Sequence, residues 1–169
     1  MSRRLPAALP LLFAVVSASL AVVACAGVAG RLFVWNLSAS LPRGLYALDR
    51  AASPLRGAVV SFPAPSGAAA LIAERGYLPN GASLLKTVVG LPGDPVCITA
   101  SSYSVRGRVI GLVASRDTKG RPLAPFQFCG AVPAGSAFVA TPAPLSFDSR
   151  YFGPVPVSSL TVAVPVWTF

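Results

Sequence analysis

From Leu5 to Gly30 the chain has no charged residue, and Ala, Val and Leu dominate it. At about 1.5 Å of rise per helical residue, such a stretch covers the ~30 Å hydrocarbon layer of a bilayer, so residues 1–31 are predicted to form a membrane anchor. Arg3 and Arg4 precede the apolar run and Arg31 follows it. This bias favours a cytoplasmic N-terminus with everything beyond residue 31 exported.

Beyond Arg31 the pattern changes. Apolar residues come in short runs punctuated by Gly and Pro rather than at helical spacing, and of 17 prolines only Pro6 and Pro10 precede that point. Strands are predicted over residues 44–48, 58–62, 84–89, 96–99, 109–114, 137–140 and 161–167. One helix is predicted over 66–75, with Ser66 as its cap, Ala68 to Ile72 favouring it and Gly76 ending it. The class is therefore mostly β behind an N-terminal helix. The more polar stretch between Cys97 and Cys129 contains the run RDTKGRP, a turn by composition.

Cysteine usage adds a constraint. Cys97 and Cys129 lie in the exported part and are expected to form a disulfide, worth about 3 to 4 kcal/mol in the chain-entropy model. Cys25 lies in the apolar run, and two other readings of that run stay open. Ala24-Cys25-Ala26 could be a signal-peptide cut, with Pro6 and Pro10 weakening the early helix, and Val22-Val23-Ala24-Cys25 could be a lipidation signal.

The net charge is +9, from 14 basic and five acidic residues. No dense Lys/Arg cluster or basic stripe interleaved with aromatics accompanies it, so nucleic acid is not expected as a partner. A basic exported face beside anionic lipid is the expected reading.

The chain has no histidine. That excludes a Ser-His-Asp triad, a Cys-His dyad and a His-ligated metal, and two thiolates alone make a poor ligand set, so neither metal nor cofactor is expected. A hydroxyl can still be activated by a lysine whose amine is neutral, which requires burial. Lys119 lies in the polar turn, where solvent keeps it charged. Lys86 lies in the apolar run Leu84-Leu85-Lys86-Thr87-Val88-Val89, where alternation puts it on one face with Val88. To act as a base near neutral pH its pKa must fall by roughly 3, about 4 kcal/mol against the charged form. A lysine snorkelling from a strand edge is the alternative.

Three segments in order bear on the same question: Ser40-Leu41-Pro42-Arg43-Gly44-Leu45-Tyr46, Leu85-Lys86-Thr87-Val88-Val89-Gly90-Leu91-Pro92-Gly93-Asp94, and Ser146-Phe147-Asp148-Ser149-Arg150-Tyr151-Phe152-Gly153-Pro154. They resemble the boxes of the signal peptidase I family, serine peptidase family S26. Ser-Leu-Pro-x-Gly-Leu-Tyr resembles in particular the TraF-like branch, the conjugative-transfer signal peptidases. The resemblance spans roughly residues 31 to 160. Where housekeeping members read Gly-Asp-Asn-Arg, this chain has Thr141-Pro142-Ala143-Pro144-Leu145, which suits that branch.

The resemblance implies a signal-peptidase-like antiparallel β catalytic core over about 36–96 and 135–165, with a small disulfide-tied insert over about 97–134, all within an exported domain 32–169. It implies Ser40 as nucleophile and Lys86 as general base. Ser38 would donate to the oxyanion beside the Ser40 N–H, and Ser146 would orient the lysine amine. Asp148 is either a third catalytic member or a structural partner of Arg150. A carboxylate beside the lysine would raise its pKa, against what the mechanism needs, which favours the structural role. Gly90, Pro92, Gly93 and Asp94 read as a turn.

The implied activity is that of a single-pass enzyme of the bacterial inner membrane with its catalytic domain in the periplasm. It would cleave, and by analogy with the branch could cyclise, an exported precursor such as a conjugative pilin. A general signal peptidase for secreted proteins, or an inactive exported scaffold or lipoprotein, are the alternatives.

Overall fold

The short apolar runs become strands of two sheets. The computed structural model describes residues 14–20, 32–79 and 81–169. The chain divides into two compact units, 1–33 and 34–169, and the second carries the candidate site and all but the first residue of the sheets. Most of the predicted anchor, including Cys25 and the alternative cut and lipidation sites, lies outside the described residues. Residues 14–20 are helical, with Ser19 Oγ donating to Val15 O at 2.9 Å. Among the described residues no helix is long and apolar enough to cross a membrane.

Among the described residues eleven strands follow in chain order: β1 Phe33–Asn36, β2 Gly44–Asp49, β3 Val59–Phe62, β4 Leu84–Gly90, β5 Pro95–Ile98, β6 Ser102–Val105, β7 Arg108–Leu112, β8 Phe128–Ala131, β9 Ser136–Ala140, β10 Val155–Pro156 and β11 Thr161–Thr168. The larger sheet has the order β1-β2-β11-β3-β4-β9-β10, and the smaller β7-β6-β5-β8. The last strand inserts between the first ones, pairing antiparallel with β2 through Ala163↔Leu48 and with β3 through Thr161↔Ser61. Strand β4 is central, antiparallel to β3 through Val60↔Lys86 and to β9 through Val88↔Val139.

A strand buried on both faces should read as an apolar run rather than an alternation, and β4 does, apart from Lys86 and Thr87. Leu84 and Val88 pack with Val60, Phe62 and Val139 and with Ala68 and Ile72 of the helix Ser66–Arg75. Leu85 packs on the other face with Tyr46 and Ala163. Strand β9 joins the sheets: Ala137 and Val139 enter the first core, while Phe138 and Ala140 enter a second with Val96, Tyr103 and Val132.

Cys97 and Cys129 form the expected disulfide, as direct cross-strand partners of β5 and β8. Two local expectations are corrected. Ser66 does not cap its helix: it is the first helical residue, the preceding Pro65 takes the capping position with φ −59° and ψ 142°, and Pro65 O accepts from Ala68 N and Ala69 N at 2.9 Å each. The strand predicted to run to residue 114 ends at Leu112, because Val113 N turns to donate to Ser101 O at 2.9 Å. Strands β1, β6, β8 and β10 and the single-turn helix Ser149–Phe152 are not marked by the apolar pattern.

Candidate active site

The turn joining β1 to β2 carries Ser38 and Ser40. It is held at its far end by Gly44, whose φ of +142° is a backbone conformation that L side chains rarely adopt. A Cβ there would stand 2.0 Å from Trp167 O on β11. Phe169 N donates to Arg43 O at 3.0 Å and the buried Tyr46 hydroxyl to Pro42 O at 2.7 Å. The near end is held by Asn36, only 4% exposed. Its Nδ2 donates to Ser38 O at 3.2 Å, Leu41 O at 3.1 Å and Pro42 O at 3.0 Å, and its Oδ1 accepts from Ser38 N at 3.1 Å and Ser38 Oγ at 2.8 Å. One amide thus satisfies backbone groups that a turn leaves without partners.

Lys86 enters from β4 and is 4% exposed. Its Nζ lies 3.0 Å from Ser40 Oγ and 2.9 Å from Ser146 Oγ. Burial pulls its pKa down to about 8; the Asp148 charge opposes that shift and the Arg150 charge adds to it. An amine so placed is neutral in a substantial fraction of molecules near pH 8. Its lone pair can take the Ser40 proton while an N–H is directed at Ser146.

Asp148 and Arg150 are fully buried and form a two-pronged ion pair, with Arg150 Nε to Asp148 Oδ1 at 2.8 Å and Nη2 to Oδ2 at 2.7 Å. The carboxylate also accepts from Thr141 N and Arg150 N at 3.2 Å each. The guanidinium donates to the carbonyls of Thr141 at 3.2 Å, Ala143 at 2.9 Å and Ser146 at 3.1 Å, and to Leu112 O of the smaller sheet at 2.6 Å. Its face lies 5.0 Å from the Tyr103 ring. The pair therefore stitches the 141–146 loop, and Ser146 with it, to both sheets. Asp94 holds the turn after β4 by accepting from Leu91 N at 2.6 Å and pairing with Arg56.

A cleft of about 790 Å³ opens on Ser40, Lys86 and Ser146, with Leu37, Leu84, Leu145 and Ala143 among its walls. The RDTKGRP turn, which composition marked as a solvated excursion, supplies Asp117 and Thr118 to it. Tyr77 Oη donates to Asp117 Oδ2 at 2.7 Å, Arg121 Nε reaches the same oxygen at 2.7 Å, and Arg75 Nη1 donates to Pro122 O at 2.9 Å. The turn is thus clamped to the end of the helix Ser66–Arg75. The sequence pattern does not mark Asn36 or Asp117 as site residues. Signals existed: an Asn can bond its own backbone two residues on, and Asp117 is one of only five acids in the chain. Among the described residues no group of His, Cys, Asp and Glu could hold a metal ion.

Comparison with known proteins follows the same lines. The model of the family "Signal peptidase, peptidase S26" matches residues 6–167. The conjugal transfer protein TraF of Agrobacterium fabrum is 37% identical over 145 residues, covering 79% of this chain and 81% of that protein. The plasmid transfer protein TraF of Escherichia coli is 35% identical over 147 residues, covering 79% and 82%. A signal peptidase I from Enterococcus faecalis is 25% identical with a TM-score of 0.40, covering 66% of this chain and 97% of that one.

Proposed function

The chain belongs to the signal peptidase family, peptidase S26, and on that premise we propose that it is a membrane-bound serine endopeptidase with a Ser40/Lys86 dyad. The observation that carries this reading is the Lys86 amine held between Ser40 Oγ at 3.0 Å and Ser146 Oγ at 2.9 Å in a buried setting. Neutral Lys86 takes the proton of Ser40 as Ser40 Oγ attacks the scissile carbonyl, and the resulting ammonium hands it to the leaving amine. The Ser40 N–H and the Ser38 hydroxyl face the developing oxyanion. The acyl-enzyme is then released to water or to an amine of the same chain, the latter giving a cyclic product. Asp148 acts by holding Arg150, and through it the Ser146 loop.

The substrate is an exported precursor, and the TraF relatives, named for conjugal and plasmid transfer, support a conjugative pilin. The catalytic unit would sit in the periplasm against the inner membrane. Supporting that placement, Trp35 at the cleft packs against Trp167 with ring centroids 5.8 Å apart, and Trp167 against Phe169 at 5.0 Å, all three exposed. Such rings suit a membrane interface.

The test is co-expression of a candidate pilin precursor with the wild type, Ser40→Ala and Lys86→Ala, read by intact mass. Processing by the wild type alone is expected. Equal processing in all three would overturn the dyad.

A further inference from the structure

Ser38 stands between two groups that compete for it. Its Oγ is 2.8 Å from Asn36 Oδ1 and 3.0 Å from Ser40 Oγ, which is itself 3.0 Å from Lys86 Nζ. The orientation of the Asn36 amide is fixed by its surroundings, since Nδ2 faces the carbonyl oxygens of Ser38, Leu41 and Pro42 while Oδ1 faces the Ser38 N–H and hydroxyl. An amide oxygen can only accept, so the single Ser38 proton goes to Asn36. The Ser38–Ser40 contact must then be filled by the Ser40 proton, and Ser40 Oγ accepts from Lys86. The resting chain runs one way, from Lys86 through Ser40 and Ser38 to Asn36. In it the Ser40 proton points away from its base and the Ser38 proton away from any oxyanion.

We propose that Asn36 is a positioning residue for peptide cleavage that acts through Ser38: it fixes the Ser38 oxygen beside Ser40 and holds its proton until the oxyanion forms and draws it over. This rests on the serine-peptidase reading above. A hydroxyl anchored by a buried amide is already placed when charge develops, and needs only to turn about its C–O bond. Without Asn36 the Ser38 side chain is free to rotate and its donor is lost to solvent. The loss should fall on the chemical step, because Ser38 has no strong interaction to offer a neutral ground-state carbonyl while its proton is held by Asn36.

The experiment uses the full chain in detergent and an internally quenched peptide with Ala at the first and third positions before the cut. Asn36→Ala, Ser38→Ala and the double variant are compared, with Ser40→Ala as control and thermal unfolding of each. Asn36→Ala is expected to lower kcat by about 10-fold or more with KM unchanged, and to cost several-fold less once Ser38 is already Ala, the remainder being the loss of its bonds to Leu41 O and Pro42 O, which is common to both backgrounds. Asn36→Gln keeps a buried amide but moves its oxygen and nitrogen by a methylene; its kcat, measured well below the midpoint of its own thermal unfolding, should show the same loss, which separates positioning from folding. Equal losses from Asn36→Ala in both Ser38 backgrounds, or a wild-type kcat in Asn36→Gln, would overturn the inference alone. Undiminished cleavage by Ser40→Ala, or none by the wild type, would overturn the peptidase reading beneath it.

Discussion

Lys86 Nζ reaches Ser40 Oγ at 3.0 Å across 46 positions of sequence, from the middle of a buried strand to a turn at the sheet's edge. Burial of that amine sets a pH dependence. With its pKa near 8, catalysis should rise through an acid limb centred at about that pH, whereas an exposed lysine would place it near 10.5. A kcat/KM profile against pH checks this.

The same burial has a stability sign. The folded state disfavours the ammonium, so the penalty is fully present below pH 8 and vanishes above 10.5, where both states are neutral. Lys86→Met should abolish activity and raise stability at pH 7 by up to about 3 kcal/mol, less the cost of leaving Ser146 Oγ without its donor. Denaturant midpoints at pH 7 and pH 10.5 should differ in the gain.

Asp148→Asn leaves the buried Arg150 charge without its counter-ion and should cost about 3 kcal/mol or more. Because the Asp148 charge holds the Lys86 pKa up, its loss should also move the acid limb to lower pH. A loss of kcat that exceeds what thermal unfolding and the shifted limb account for would instead point to direct participation.

Gly44→Ala should destabilise by about 2 kcal/mol or more, since a Cβ would stand 2.0 Å from Trp167 O and the residue has φ +142°. Loss of amide exchange protection at Phe169 N, bonded to Arg43 O, would report the opening.

Asp117→Ala removes the acceptor that clamps the turn to Tyr77 and, within the turn, holds Arg121 at a wall of the cleft. KM for a peptide filling the cleft should rise several-fold, about 1 kcal/mol, with kcat nearly unchanged. Titration of initial rates separates the two constants.

The sequence by itself determined the chemistry that remained possible. Absence of histidine and one lysine in an apolar run left Lys86 as the candidate base, and the resemblance carried by three segments in order proposed Ser40 and Ser146 as its partners. It also marked the larger apolar runs, because buried strands must be apolar whatever they pair with. Only the tertiary structure decided what those runs face. That β11 inserts between β2 and β3 is a choice of pairing, which side-chain pattern does not encode at this strand length. The direction of the Asn36 amide and the return of the Asp117 turn to Tyr77 depend on contacts 2 to 40 residues apart, satisfied once the sheets have placed the backbone. Local composition gives a polar side chain its capacity to bond; the fold selects its partner.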